Sequence, residues 1–273
     1  MATDDTIATS GLAIIAGSGM GELGYHLVTR LTDVETISFG DIDGVGACTV
    51  DGHPGEVRIG RRGGIGGRRI ALVLGRRHAY EGGSLGMAPL MEWLAGRGLS
   101  NVVAVSAAGS LSGHLHPGEL VVIKEIIDLQ NRGLLQPAFR RLPARAGGRT
   151  QPARGGGRTA CISARLSGAL EVAARRAGVA LQRGVLACGA GPAYETPAEV
   201  RALQTAGADV ATMSAAPEVQ YAAELGMEIA IVAAITNRCT GIGSEPPDHV
   251  RVLEIAGTMC RVLEDMLSQV IEK

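Results

Sequence analysis

The chain has 273 residues, which is long enough for one large α/β domain with a substantial core. Its formal net charge is −1, so no overall field favours nucleic acid or a membrane surface as a partner. No apolar run reaches the roughly 18 residues of a membrane helix, and the N-terminus carries acids where a secretion signal carries bases. We therefore expect a cytoplasmic protein without metal, whose five scattered cysteines are reduced thiols.

The first element in chain order is an apolar run, 12–16, that leads into the turn Gly17-Ser18-Gly19-Met20-Gly21. A β-branched run that ends in alternating glycines predicts a buried strand followed by a tight turn. Glycines let such a turn direct several backbone N–H groups at one point, and Ser18 adds a hydroxyl. This chemistry holds an anion, most often a phosphate.

The same glycines also allow a different interpretation. Gly19, Gly21 and Gly24 satisfy the G-x-G-x-x-G dinucleotide pattern, and Asp41 and Asp43 follow about 20 residues later. A nicotinamide or flavin oxidoreductase is therefore an alternative, although both acids lie in a glycine-rich stretch instead of at the end of a second strand.

Further along, apolar strand candidates alternate with helical patterns. Strands are predicted at 12–16, 70–74, 101–106, 119–123, 184–188, 209–213 and 229–236, and helices at 86–97, 164–177, 196–206, 216–226 and 248–271. Thr196-Pro197-Ala198-Glu199 is a helix start with a capping box. Such alternation predicts an α/β fold with a mostly parallel or mixed sheet flanked by helices, and ligands then bind beyond the carboxyl ends of the strands.

Residues 140–158 interrupt this pattern, because they are rich in arginine and glycine and have almost nothing to bury. We predict a mobile surface loop there. A basic flap over an anionic substrate is the sharper alternative, and a nucleic-acid tether is a weaker one.

Four polar clusters follow predicted strands. Arg76 and His78 come after the second strand; arginine offers a planar fork for phosphate, although an exposed polar loop explains the pair equally well. Small residues, 106–110, follow the third strand and allow close backbone approach to a ligand. The stretch 190–196 places a ring and a carboxylate before a capped helix, and 212–214 precedes a helix whose N-terminus favours an anion.

Six motifs in this order and spacing resemble the trimeric purine nucleoside phosphorylases, whose superfamily also contains the methylthioadenosine phosphorylases. They are GSGMG, GRRHAYEG, SAAGSL, AGPAYETPAE, MSAAPEV and ITN. The resemblance runs from about residue 12 to 265 and fails only in the Arg/Gly segment. It implies a single-domain, three-layer αβα fold over 1–273 with a mixed, partly barrel-like central sheet. It also implies a homotrimer that needs no cofactor beyond inorganic phosphate as co-substrate.

The resemblance also implies roles for individual residues. The residues implied to bind phosphate are Ser18, His53, Arg76, His78, the Ala108 backbone and Ser214. Those implied to contact the sugar are Tyr80, Met213 and His249, and those implied to bind the base are Tyr194, Glu195 and Asn237. Asn237, Glu195 and His78 are the implied catalytic groups. These residue types suit phosphorolysis, in which a dianion lies below a positively charged ribose while hydrogen bonds stabilise the departing base.

In the resembled family, asparagine at the position of Asn237 accompanies 6-oxopurines. We therefore expect a purine nucleoside phosphorylase that acts on inosine or guanosine. A phosphorylase for a 5′-modified nucleoside, such as 5′-methylthioinosine or 5′-methylthioadenosine, is one alternative, because the loop that reaches the sugar is replaced by the Arg/Gly segment. A non-catalytic purine-binding homologue is the other.

Overall fold

A mixed sheet forms the centre of the molecule. The structure is a computed structural model, and it describes residues 10–49, 52–64, 66–81, 87–130, 162–243 and 247–272. The described strands are β1 (Gly11–Ala16), β2 (Thr32–Ser38), β3 (Glu56–Arg62), β4 (Arg68–Leu74), β5 (Leu99–Ser110), β6 (Leu120–Asp128), β7 (Leu181–Cys188), β8 (Val210–Thr212) and β9 (Glu228–Arg238). Their order is β2-β3-β4-β1-β5-β8-β7-β6-β9, and β9 also pairs with β5. This last pairing closes the five strands from β5 to β9 into a barrel, while β2, β3, β4 and β1 extend from it as an open sheet.

Helices cover both faces of the sheet. They are α1 (Gly21–Val28), α2 (Met87–Gly96), α3 (Ala164–Ala177), α4 (Pro197–Thr205), α5 (Ala216–Glu224) and α6 (His249–Ile271). Ala13 and Ile15 of β1 join a core cluster with α2 and α5, whereas Leu12 and Ile14 join another with α1, α3 and α6. Strand β1 is apolar throughout because its alternate side chains enter two different cores. The predicted α/β, three-layer architecture with a partly barrel-like sheet is confirmed.

Three described elements were absent from the sequence prediction. Strands β2 and β3 form an antiparallel pair at the open edge of the sheet, and β2 is largely exposed. An exposed edge strand buries little, so its sequence lacks the apolar run that marks an interior strand. Helix α1 is only eight residues long and starts with Gly21, which weakens its helical pattern.

The prediction also ended three strands too early, namely β5, β6 and β9. Strand β5 continues through the small residues 107–110, which were predicted to follow the strand, and its pairing with β9 shifts register between Ala108 and Gly109. Strand β9 runs to Arg238, so Asn237 lies inside the strand. The last residues of β5, Gly109 and Ser110, pair with both β8 and β9.

The glycines of the dinucleotide pattern have packing roles. A Cβ on Gly24 would lie 2.0 Å from a Leu74 methyl group, and one on Gly19 would lie 2.7 Å from the Ala256 Cβ of α6. Gly19 also has a φ of +73°, a conformation that glycine adopts without strain. Asp41 and Asp43 are exposed. The structure therefore gives the oxidoreductase alternative no support.

The capping box predicted at 196–199 is confirmed. The Thr196 hydroxyl accepts from the Glu199 N–H, and the Glu199 carboxylate accepts in return from the Thr196 N–H, which completes the capping box at α4. Cys48, Cys188, Cys239 and Cys260 are free thiols. Among the described helices, none is long and apolar enough to cross a membrane. The segment predicted as a mobile loop, 140–158, lies outside the described residues.

Candidate active site

A cavity of about 380 Å³ opens where the strand ends converge, at the rim of the barrel. Parallel pairing joins β4 to β1, β1 to β5 and β5 to β9. The carboxyl ends of these strands therefore meet at this edge of the sheet. The cavity is lined by the predicted site residues Ser18, Arg76, His78, Tyr80, Ala108, Tyr194, Glu195, Met213, Ser214, Asn237 and His249. His53 lies just behind this wall. The fold thus brings the whole predicted set together, and the role of each member remains a prediction.

At one end of the cavity, the glycine-rich turn meets two histidines. The Ser18 hydroxyl is 3.0 Å from His53 Nε2, and His53 Nδ1 is 3.0 Å from the Arg76 carbonyl oxygen. The rings of His53, His78 and Tyr80 stack in a column, with centroids 5.1 and 5.0 Å apart. Burial lowers the pKa of His53 to about 3, and the neighbouring His78 and Arg76 add to the effect. The neutral imidazole of His53 therefore contacts both the glycine-rich turn and the stacked rings of His78 and Tyr80.

Arg76 is 1 % exposed and forms part of the floor of the cavity. Its Nη1 donates to the hydroxyls of Ser106 and Ser214 at 2.6 and 2.9 Å. Its Nη2 donates to the carbonyl oxygens of Ile15 and Val105 at 3.3 and 2.7 Å. The Ser214 oxygen also lies 3.2 and 3.3 Å from the hydroxyls of Ser106 and Thr212, so a small hydroxyl network fixes Ser214 at the cavity wall.

His78 is oriented by Glu81, which the sequence analysis did not identify. The His78 Nδ1 atom is 3.2 Å from Glu81 Oε2, and the His78 backbone N–H donates to the same oxygen at 2.7 Å. The N–H and hydroxyl of Thr49 donate to Glu81 Oε1. Burial alone would raise the pKa of Glu81, but these hydrogen bonds lower it to about 2. A carboxylate that stays ionised holds the proton of neutral His78 on Nδ1, so Nε2 is an acceptor.

Gly191 packs closely against two of the residues predicted to contact the sugar. A Cβ on Gly191 would lie 2.7 Å from Met213 Sδ and 2.9 Å from the Tyr80 ring. Gly191 belongs to the loop that carries Tyr194 and Glu195. His249, the first residue of α6, lines the same region. The residues predicted to contact the sugar thus lie between the two ends of the cavity.

At the other end, Asn237 is held in a defined orientation. The Thr236 hydroxyl donates to Asn237 Oδ1 at 2.9 Å, and Asn237 Nδ2 donates to the Arg238 carbonyl oxygen at 3.1 Å. One acceptor position and one donor of this amide therefore remain for a ligand. Burial raises the pKa of the Glu195 carboxyl on the same wall, and Glu199 raises it further.

Comparison with known proteins agrees with this geometry. The sequence model of the phosphorylase superfamily matches residues 12–272. The purine nucleoside phosphorylase of Mycobacterium tuberculosis is 32 % identical over 270 residues, covering 98 % of this chain and 91 % of that protein. The chain belongs to the phosphorylase superfamily. The resemblance to purine nucleoside phosphorylases is confirmed, and the chain is an enzyme of the pentosyltransferase class.

Two further relatives extend this comparison. The "probable 6-oxopurine nucleoside phosphorylase" of Moorella thermoacetica is 32 % identical over 173 residues, which cover 63 % of this chain and 64 % of that protein. The crystal structure of Schistosoma mansoni purine nucleoside phosphorylase in complex with adenosine matches with a TM-score of 0.82 and 28 % identity, covering 97 % of this chain and 91 % of that one. A structure of the same enzyme with inosine has a TM-score of 0.79.

The structure of this phosphorylase-superfamily chain also reveals a buried polar group that the sequence analysis did not identify. Gln130 Nε2 donates to the carbonyl oxygens of Gly189 and Met213 at 2.6 and 2.8 Å, so one amide joins the base-side loop to the sugar-side loop. Asp128 accepts from the Gln130 N–H and from the side-chain amide of Gln220. The partners of Gln130 are far apart in the sequence. The one signal available was that the apolar strand β6 ends in a polar residue, Asp128, and is closely followed by another, Gln130. In the described part of the chain, no group of His, Cys, Asp and Glu has a metal-binding arrangement.

The buried histidines predict how this phosphorylase-superfamily chain responds to acid. His53 has a folded-state pKa of about 3 against an ordinary 6.5, so the unfolded chain takes up the proton first as the pH falls. Stability is therefore lost below about pH 6.5, and at pH 5 the loss from His53 is about 2 kcal/mol. Denaturant unfolding at pH 7 and pH 5, in phosphate-free buffer, should show a smaller acid loss in His53→Asn than in the wild type. An equal loss in both proteins would contradict the neutral His53.

Proposed function

We propose that this chain catalyses the reversible phosphorolysis of 6-oxopurine ribonucleosides and deoxyribonucleosides, releasing the free base and the pentose 1-phosphate. Inosine and guanosine are the proposed nucleosides. Inorganic phosphate is the co-substrate, and no cofactor takes part. The observation that carries the proposal is that one cavity joins buried Arg76 and the hydroxyls of Ser18 and Ser214 at one end to the amide of Asn237 and the carboxyl of Glu195 at the other.

The phosphate end is suited to a dianion. The Ser18 and Ser214 hydroxyls line this end, the Ala108 backbone is the predicted N–H donor, and Arg76 supplies positive charge from the cavity floor. Neutral His78 offers an acceptor at Nε2, which suits the one proton of a hydrogen phosphate ion. A phosphate oxygen held here would lie below the anomeric carbon of a sugar between Tyr80 and Met213. Its charge would stabilise the positive ribose of the transition state.

The base end is suited to the leaving group. As the glycosidic bond breaks, its electron pair moves into the purine, and the N7 and O6 atoms become better hydrogen-bond partners. The Asn237 amide can donate its free N–H to N7, and its Oδ1 can accept from a protonated edge of the base, in an orientation that Thr236 fixes. Glu195 would accept from N1–H, a proton that 6-oxopurines carry and neutral adenine does not. This difference supports 6-oxopurine specificity.

The specificity is tested by measuring base release from inosine, guanosine and adenosine with purified protein and inorganic phosphate. We expect kcat/KM for inosine to exceed that for adenosine by at least about tenfold, since adenine would leave the half-buried Glu195 carboxyl without a partner. Omitting phosphate is the control. Equal values for inosine and adenosine would rule out the specificity, and no phosphate-dependent release from any nucleoside would favour a non-catalytic purine-binding protein.

A second candidate function concerns the 5′ end of the sugar. His249 is the predicted partner of a free 5′-hydroxyl, but the cavity wall beside it is formed by Val252, which suits an apolar substituent. A phosphorylase for 5′-methylthioinosine or 5′-methylthioadenosine is therefore the alternative. Comparing kcat/KM for inosine and 5′-methylthioinosine distinguishes the two, because the preferred 5′ group will have the higher value.

The assembly and compartment are also part of the proposal. We infer a cytoplasmic homotrimer from the family resemblance. Light scattering of the purified protein checks the trimer.

A further inference from the structure

A second buried charge lies behind the phosphate end of the cavity. Glu218, in the first turn of α5, is 1 % exposed, and its Oε1 atom is 3.5 Å from Arg76 Nη1. Among the described residues, this oxygen has no hydrogen-bond partner. The Oε1 atom of Glu218 is therefore held by its ion pair with Arg76.

Glu218 is not needed to hold Arg76 in position. Both Nη atoms of the guanidinium already donate to two hydroxyls and two carbonyl oxygens, all from other elements. These four hydrogen bonds fix the orientation of the guanidinium plane and its position at the cavity floor. The four neutral acceptors cannot balance the positive charge of the guanidinium. Glu218 is the acidic side chain that is paired with this charge.

An unbalanced arginine in this position would bind anions strongly. Charges interact far more strongly in a buried site than in water, so a lone guanidinium at the cavity floor would hold a phosphate dianion tightly. A reversible phosphorylase must release both phosphate and a sugar phosphate at each turnover. Uniformly tight binding of these anions would slow release without helping the chemical step.

We propose that Glu218 is a counter-charge that weakens phosphate binding by neutralising part of the Arg76 charge, so that the phosphate end exchanges its anions readily. This inference rests on the proposed function, since it concerns the same phosphate site. Glu218 therefore tunes the affinity for phosphate, while the residues that line the cavity make the contacts to phosphate.

The test is Glu218→Gln, which keeps the size of the side chain and removes its charge. We expect the phosphate KM to fall by about fivefold, with the nucleoside KM unchanged, and calorimetric titration with inorganic phosphate to give a Kd lowered by the same factor. Glu224→Gln is the matched control, because Glu224 is an exposed acid in the last turn of the same helix. It should leave both KM values unchanged.

A purely structural role would give the opposite sign, since a disturbed Arg76 binds phosphate less well. Glu218→Gln leaves a buried cation unpaired and will be less stable without phosphate, so its melting temperature should rise more on phosphate addition than that of the wild type. If this variant does not fold, Glu218→Asp withdraws the carboxylate by one methylene and should lower the phosphate KM by a smaller factor. An unchanged or raised phosphate KM in the variant that folds overturns the inference.

The wild-type enzyme separates this inference from the proposed function. Phosphate-dependent cleavage of inosine by the wild type is measured first. If that activity is absent, the proposed function fails. If it is present and the Glu218 variants do not bind phosphate more tightly, only the counter-charge role fails.

Discussion

Replacing Arg76 with methionine is expected to raise the phosphate KM by at least about 100-fold and to lower the free energy of unfolding by about 3–5 kcal/mol. The effect on KM arises because the cavity loses its buried positive charge and Ser214 loses the donor that orients its hydroxyl. The effect on stability arises because Glu218 becomes an uncompensated buried anion. Steady-state kinetics and denaturant unfolding measure the two quantities separately.

The double variant Arg76→Met, Glu218→Gln separates the two causes. It removes both buried charges, so it should recover most of the lost stability, yet its phosphate KM should remain high. Arg69→Met is the matched control, since Arg69 lies on β4, the strand that precedes Arg76, and donates to the Arg97 carbonyl oxygen at the opposite end of the sheet. A double variant that recovered phosphate affinity as well would show that Arg76 has no direct part in binding phosphate.

The interior of the fold could be predicted from the sequence because burial leaves a pattern. Strand β1 is a continuous apolar run, and α6 has a regular apolar face, so both were located within one or two residues. Strand β2 escaped because it is the open edge, and β3 escaped because three of its seven residues are arginines. The closure of the barrel was not visible in the local pattern either, since the pairing of β5 with β9 depends on residues more than a hundred positions apart.

The members of the candidate site were predictable, but their partners were not. Arg76, Ser214 and Asn237 belong to motifs whose type and order resemble the family. The hydrogen bond between Arg76 and Ser214 spans 138 positions, and no sequence spacing encodes it. Glu218 was missed because an acidic residue near a helix start is ordinarily a capping group, and Glu81 was missed because its carboxylate meets Thr49 and His78 only in the folded chain. Only the fold shows that Glu81 holds His78 and that Glu218 lies against Arg76.

The second large effect is expected for Asn237→Ala, which should lower kcat/KM for inosine by about 100-fold, or about 2.7 kcal/mol. The amide is held by Thr236 and by the Arg238 carbonyl oxygen, so its remaining donor and acceptor are already aimed when the base begins to leave. A preorganised group of this kind acts mainly on the transition state, where the purine gains electrons. The loss should therefore appear in kcat as well as in kcat/KM.

Asn101→Ala is the control for a general loss of a buried amide. Asn101 is 2 % exposed, and its side chain donates to the Gly11 carbonyl oxygen on β1, at the end of the sheet opposite the cavity. It should lower stability and leave kcat/KM within about threefold of the wild type, because nothing that lines the cavity depends on it. Thr236→Val is the intermediate case, since it keeps Asn237 but removes the hydroxyl that orients it, and it should lower kcat by a smaller factor than Asn237→Ala. If Asn237→Ala changed kcat/KM by less than threefold, the amide could not be the group that stabilises the departing base.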